Sequence, residues 1–114
     1  ACTGAEFQLD YTHGVPPVVN DSGVTASLEL AACAELGTDS VTAAVQSWGG
    51  DDFAWYTRAI PGSYVRLGVR DPDAVGAPHD LHVGRFDVDE RSIAVGVRLA
   101  VAGLGALSSE SADA

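Results

Sequence analysis

The chain has 114 residues, a mass of 11.7 kDa and 16 Asp plus Glu against 6 Lys plus Arg, for a formal net charge of -10. That length suits one domain, and 46% hydrophobic residues exclude a chain left disordered for want of apolar surface. The pI near 4.3 excludes a partner gripped through its phosphates, nucleic acid above all, because Lys and Arg supply that affinity.

Cys2 comes first along the chain. Bridged to Cys33 it closes a loop of about 30 residues, a cross-link expected of an oxidising compartment. Two unrelated thiols are the alternative, with Cys33 then acting as a small hydrophobe. All six cations are arginines, and there is neither lysine nor methionine. A lysine-free acidic surface suits a high-salt setting, where ions screen self-repulsion, and equally an ordinary secreted protein. The expected location is extracellular or surface-exposed.

Seven runs then follow a two-residue rhythm, the spacing of side chains on a half-buried strand. Phe7 to Tyr11 alternates strictly. From Val24 to Ala32 one face reads Val24, Ala26, Leu28, Leu30, Ala32. Val41, Ala43 and Val45 repeat it. Phe53 to Ile60 is aromatic-rich, and Tyr64 to Arg70 sets Val65, Leu67 and Val69 against Tyr64, Arg66 and Arg70. Leu81 to Val88 changes parity near Gly84, as a bulge would. Ile93, Val95, Val97, Leu99 and Val101 close the series. Turn formers such as Gly14-Val15-Pro16-Pro17, Gly49-Gly50-Asp51-Asp52 and Asp71-Pro72-Asp73 separate the runs.

Short strands punctuated by turns predict an all-β fold, an antiparallel β-sandwich of about seven strands, with a small β-barrel or jelly roll as the alternative. Leu28 to Leu36 and Leu99 to Leu107, rich in Ala and Leu, are the two segments that could be helical instead. The pattern gives one domain over residues 1–107 and a flexible polar tail over 108–114. The longest apolar stretch, Ser92 to Leu107, contains Arg98, Gly103 and Gly105 and falls short of the ~20 residues of a membrane span. No transmembrane segment is expected, and the mature chain should be soluble.

The run Pro61-Gly62-Ser63-Tyr64-Val65-Arg66-Leu67-Gly68-Val69-Arg70-Asp71 resembles a stretch found in bacterial extracellular immunoglobulin-like modules. That resemblance implies an Ig-like sandwich and no particular function.

Candidate chemistry is sparse. His79 and His82 stand three apart, near Asp71 and Asp73 in sequence, which is a weak metal-ligand set because strand positions three apart face opposite ways. Asp51-Asp52 and Asp71-Pro72-Asp73 could bind calcium through oxygens, yet no loop has calcium-hand spacing. The expectation is therefore no cofactor, with calcium as the ion to consider, and no catalytic residue, since no nucleophile-elbow pattern occurs.

The segment Trp48 to Tyr56 gathers four of the eight aromatic residues at an expected hairpin. Trp48, Asp51, Asp52, Trp55 and Tyr56 are its candidate binding residues, with Trp55 and Phe53 alternatively filling the core. Tyr64, Arg66 and Arg70 form a second candidate stripe on one strand face. These features point to a non-enzymatic structural or interaction module, a subunit of a surface assembly bound to a protein partner or to copies of itself. The alternatives are a secreted protein- or carbohydrate-binding or inhibitor domain using the Trp48 loop and, last, a small hydrolase or metal enzyme.

Overall fold

Asp21 starts the first regular element. Its carboxylate accepts a hydrogen bond from the Val24 amide at 2.9 Å, and its carbonyl accepts from the Thr25 amide at 3.0 Å. An aspartate cap followed by Ala, Leu and Glu favours helix, and helix α1 runs over Ser22–Leu36. Gly37 ends it in the left-handed region at φ 89°, with its N–H on the Cys33 carbonyl. A single 3-10 turn, Thr38–Ser40, follows. Helix α2 is Phe53–Thr57 and helix α3 is Arg91–Ala112. This computed structural model describes residues 4, 6–76 and 81–112.

No strand forms among the described residues, so the all-β sandwich, and with it the barrel and jelly-roll alternatives, is corrected to an α-rich fold. Three of the seven strand-like runs lie wholly or partly in helices. In α1, Val24, Leu28 and Ala32 of the expected strand face also recur at four-residue intervals, so residues that read as a strand face also supply a helical one. Val24, Leu28, Ala31, Ala32 and Leu36 turn inward at helical spacing. In α3 the inward residues are Ser92, Val95, Gly96, Leu99, Ala102, Gly103 and Ala106, again a helical stripe. This helix continues through residues 108–112, part of the stretch expected to be a tail. The parity break at Gly84 is a turn, closed by the Phe86 amide on the Val83 carbonyl at 3.0 Å.

The two long helices pack on each other, and glycine makes the approach close. A Cβ on Gly103 would lie 2.7 Å from Leu28 Cδ2, and one on Gly96 would lie 3.1 Å from Leu67 Cδ2. Arg98 adds a polar tie, its Nε 2.6 Å from Glu35 Oε1 and its guanidinium donating to the Glu35 carbonyl at 2.9 Å. The segment 62–64 is bound to the start of α1. The Asp21 amide donates to the Gly62 carbonyl at 2.9 Å, and the Thr25 and Ser63 hydroxyls share a hydrogen bond at 2.9 Å.

Little is enclosed. Ala54 is the one buried hydrophobic residue among those described. The Cα radius of gyration is 19.4 Å, against about 13 Å for a compact chain of this length. The accessible surface of 9615 Å² exceeds the roughly 5,900 Å² of a compact chain of this mass. Helix α3 is long and apolar enough over Arg91–Ser109 to cross a membrane by length and composition alone, with a mean hydropathy of 1.5.

Candidate functional site

A groove of about 530 Å³ lies between residues 69–76 and 85–89, lined by Arg70, Asp71, Arg85, Phe86, Asp87 and Asp89 among others. Its two walls are joined at one end by backbone: the Asp89 amide donates to the Val69 carbonyl at 2.8 Å. Asp89 then organises the entry to α3. Its carboxylate accepts from the Arg91 amide at 2.9 Å, and its carbonyl accepts from the Ser92 amide at 2.9 Å.

The Arg91 side chain turns back over this end. Its Nη2 lies 2.6 Å from Asp89 Oδ2 and 2.9 Å from Asp71 Oδ1, so one guanidinium spans two carboxylates from opposite walls. The side-chain hydrogen bond from Arg91, reinforced by the Arg91 amide, holds the Asp89 carboxyl below its ordinary value. The same bond to Asp89 raises Arg91. Both carboxylates are thereby committed to position the walls, and neither is a free general base.

Arg70 is committed as well, donating to the Gly76 carbonyl at 2.8 Å across the 70–76 loop. Arg85 differs: it lines the groove and forms no ion pair with any described residue. An unpaired guanidinium on a groove wall can take a carboxylate or another planar anion through two parallel hydrogen bonds.

The sequence-chosen residues are placed as follows. Trp48 is 95% exposed, and Trp55 and Tyr56 are exposed on α2, with Arg58 stacked 5.8 Å from the Trp55 ring. The 48–56 segment leads into the short helix α2, Phe53–Thr57, where a hairpin was expected, because Asp51 accepts from the Phe53 and Ala54 amides at 2.8 and 3.0 Å. Asp52 precedes the helix without a side-chain cap bond. The Tyr64 ring lies 5.8 Å from Phe53. Arg66 is exposed. Thus Arg70 and Asp71 meet at the groove, and the Trp48 to Tyr56 group lies on other elements. Asp89, Arg91 and Arg85 were not singled out from the sequence. A helix-start signal at Asp89, had α3 been read as helix, would have pointed to the first two.

For metal ligation, no group of three or more His, Cys, Asp and Glu side chains converges among the described residues. Asp71 accepts from the Asp73 amide at 3.0 Å, an Asx turn that accounts for this pair without a cation. His82 stands in the left-handed region at φ 73°, an uncommon conformation for a residue with a Cβ. His79 lies outside the described residues. So does Cys2, and with it the expected bridge; Cys33 carries a free thiol.

A match to the model of Peptidase family M20/M25/M40 covers residues 4–104. The chain belongs to that family. It is 47% identical over 96 residues to a Rhodococcus jostii protein named "Putative glutamate--cysteine ligase 2-3", a match covering 84% of this chain and 12% of that protein. It is 37% identical over 95 residues to "Probable hydrolase sll0100" of Synechocystis, covering 82% of this chain and 24% of that protein. It is 38% identical over 93 residues to the N-acetyl-L-cysteine deacetylase of Bacillus subtilis, covering 82% and 20%. The chain therefore spans about an eighth to a quarter of the length of these relatives. No solved structure matches it.

These findings correct the functional expectation. The resemblance to immunoglobulin-like modules at 61–71 rested on a Pro-Gly turn entering an alternating segment, and membership of a hydrolase family replaces it. The non-enzymatic structural module, its surface-assembly setting and the binder alternative give way to the hydrolase reading placed last. Peptidases of this family usually use metal ions, so the expectation of no cofactor has no support. The described residues do not assemble a complete metal site by themselves.

Proposed function

We propose that this chain forms part of an amidohydrolase that cleaves the amide bond of an N-acyl amino acid, and that Arg85 holds the substrate's free carboxylate. The carrying observation is the family match over residues 4–104. Relatives named N-acetyl-L-cysteine deacetylase and IAA-amino acid hydrolase narrow the substrate class, since both names describe an acyl group joined to an amino acid. In such a reaction water adds to the acyl carbon, the C–N bond breaks, and the amine leaves with the proton. The products are a carboxylic acid and a free amino acid.

Arg85 is the groove cation with no ion-pair partner among the described residues, and a substrate carboxylate is the anion that such a cation fits. The Arg91 clasp on Asp71 and Asp89 keeps the two walls apart at a fixed width, which orients the bound end of the substrate. A metal ion, where bound, would supply polarisation of the acyl oxygen or an activated water. His82, a metal candidate from the sequence, would be one of its ligands.

The test is a chimera in which this chain replaces the 93 matched residues of the Bacillus deacetylase. Release of cysteine from N-acetyl-L-cysteine is expected. Arg85→Ala should raise KM about tenfold with kcat within about twofold, the loss of one charge-assisted contact made equally in ground and transition states. Arg85→Lys should recover part of it. A folded chimera that releases no cysteine would overturn the proposal.

A further inference from the structure

The groove gathers charges of both signs: Arg70, Asp71, Arg85, Asp87 and Asp89 line it, and Arg91 spans one end. Most of them answer to the protein itself. Arg91 holds Asp71 and Asp89, and Arg70 is turned onto the Gly76 carbonyl at 2.8 Å. Arg85 and Asp87 are left over. Neither forms an ion pair with any described residue, and they form none with each other. The Asp87 carboxylate accepts from the Val88 amide through Oδ1 at 2.9 Å, and its Oδ2 accepts no hydrogen bond from a described residue.

The two side chains stand two residues apart on one wall of the groove. Two residues of extended chain span about 7 Å, a gap that one small dipolar molecule bridges. An unpaired guanidinium beside an unpaired carboxylate is the complement of a molecule with an anion and a cation on neighbouring atoms.

We infer that Arg85 and Asp87 together seat a zwitterionic α-amino acid, carboxylate on the guanidinium and ammonium on the carboxylate, so that the product of hydrolysis competes with the substrate. This rests on the proposed reaction and on the role given there to Arg85. An N-acyl amino acid carries a carboxylate and an uncharged amide, and it engages Arg85 alone. Hydrolysis adds water across the C–N bond. The acyl carbon leaves as a carboxylate, and the amine takes the proton and becomes an ammonium. That positive charge exists only in the product, and Asp87 is the groove carboxylate free to meet it. A cation bound by Asp87 is the competing occupant, but Asp71 and Asp89 are held by Arg91, and no ligand set converges among the described residues.

The test is a titration of the 114-residue chain with L-alanine, N-acetyl-L-alanine and L-alaninamide, followed by the NMR shift of the Arg85 Nε–H. L-alanine should bind about fivefold more tightly than either single-charge analogue, the upper range for one exposed ion pair. Asp87→Asn, which keeps an oxygen for the Val88 amide, should bring L-alanine and N-acetyl-L-alanine together. Glu90→Gln, the same charge change outside the groove, should leave their ratio unaltered. Equal affinities in the unmodified chain, an unchanged ratio in Asp87→Asn, or L-alaninamide binding as tightly as L-alanine would overturn the seat. Where both carboxylate ligands were nevertheless lost in Arg85→Ala, the role of Arg85 would survive it. An Asp87-dependent preference alongside a chimera that releases no cysteine would retain the seat and sink the reaction.

Discussion

The Asn20 side-chain amide closes a two-way hydrogen bond with the backbone of Tyr64, 44 residues away. Its Nδ2 donates to the Tyr64 carbonyl at 3.0 Å, and its Oδ1 accepts from the Tyr64 amide at 2.8 Å. One side chain thus takes the place of a neighbouring strand at this residue and ties the 64–70 segment to the cap of α1. Through Val69 and Asp89, the same segment reaches the groove.

Asn20→Ala should therefore loosen the groove wall from a distance. A loss of about 1–2 kcal/mol is expected for two partly exposed backbone bonds. Urea denaturation of the chimera measures it, and Asn20→Asp should recover only the bond accepted from the Tyr64 amide.

Two glycines of α3 should respond with opposite signs. At Gly103 a side chain meets Leu28, so Gly103→Val should cost about 1–3 kcal/mol through overpacking. At Gly105 a Cβ meets nothing within 4 Å, so Gly105→Ala should stabilise the helix by about 0.5–1 kcal/mol. Equal effects at the two positions would contradict the packing of α3 on α1.

The Asp89–Arg91 clasp should fail in acid. Asp89 titrates below its ordinary value near 3.8, so its contribution is present above that value and is lost as pH falls through the lower folded one. Arg91 is raised above its ordinary value, so its contribution persists through neutral and moderately alkaline pH. Exchange at the first turn of α3 should accelerate below about pH 4, and Asp89→Asn should remove that acid transition while loosening the turn at neutral pH.

The Arg98–Glu35 tie is half-exposed at both ends. Arg98→Ala should cost only about 0.2–1 kcal/mol at low salt. Glu35→Gln should retain the bond from Arg98 to the Glu35 carbonyl, and the difference between the variants should shrink in concentrated salt.

The local parts of this molecule were written in its residues. Asp21 and Gly37 bracket α1 with a cap and a left-handed stop, and the Ala- and Leu-rich stretches 28–36 and 99–107 carried a helical alternative that the structure bears out. Helix bonds run four residues along the chain, so caps and propensities nearby can specify them. The acidic balance likewise follows from composition alone. Arg70 and Asp71 were legible as charged candidates, but the groove that joins them to Arg85, Asp89 and Arg91 was not, because it exists only where residue 69 meets residue 89. Tertiary structure also decided the fate of the alternating segments. A strand's bonds are made to backbone remote in sequence, and here Tyr64 to Val69 finds a side chain of Asn20 and the amide of Asp89 in place of a ladder.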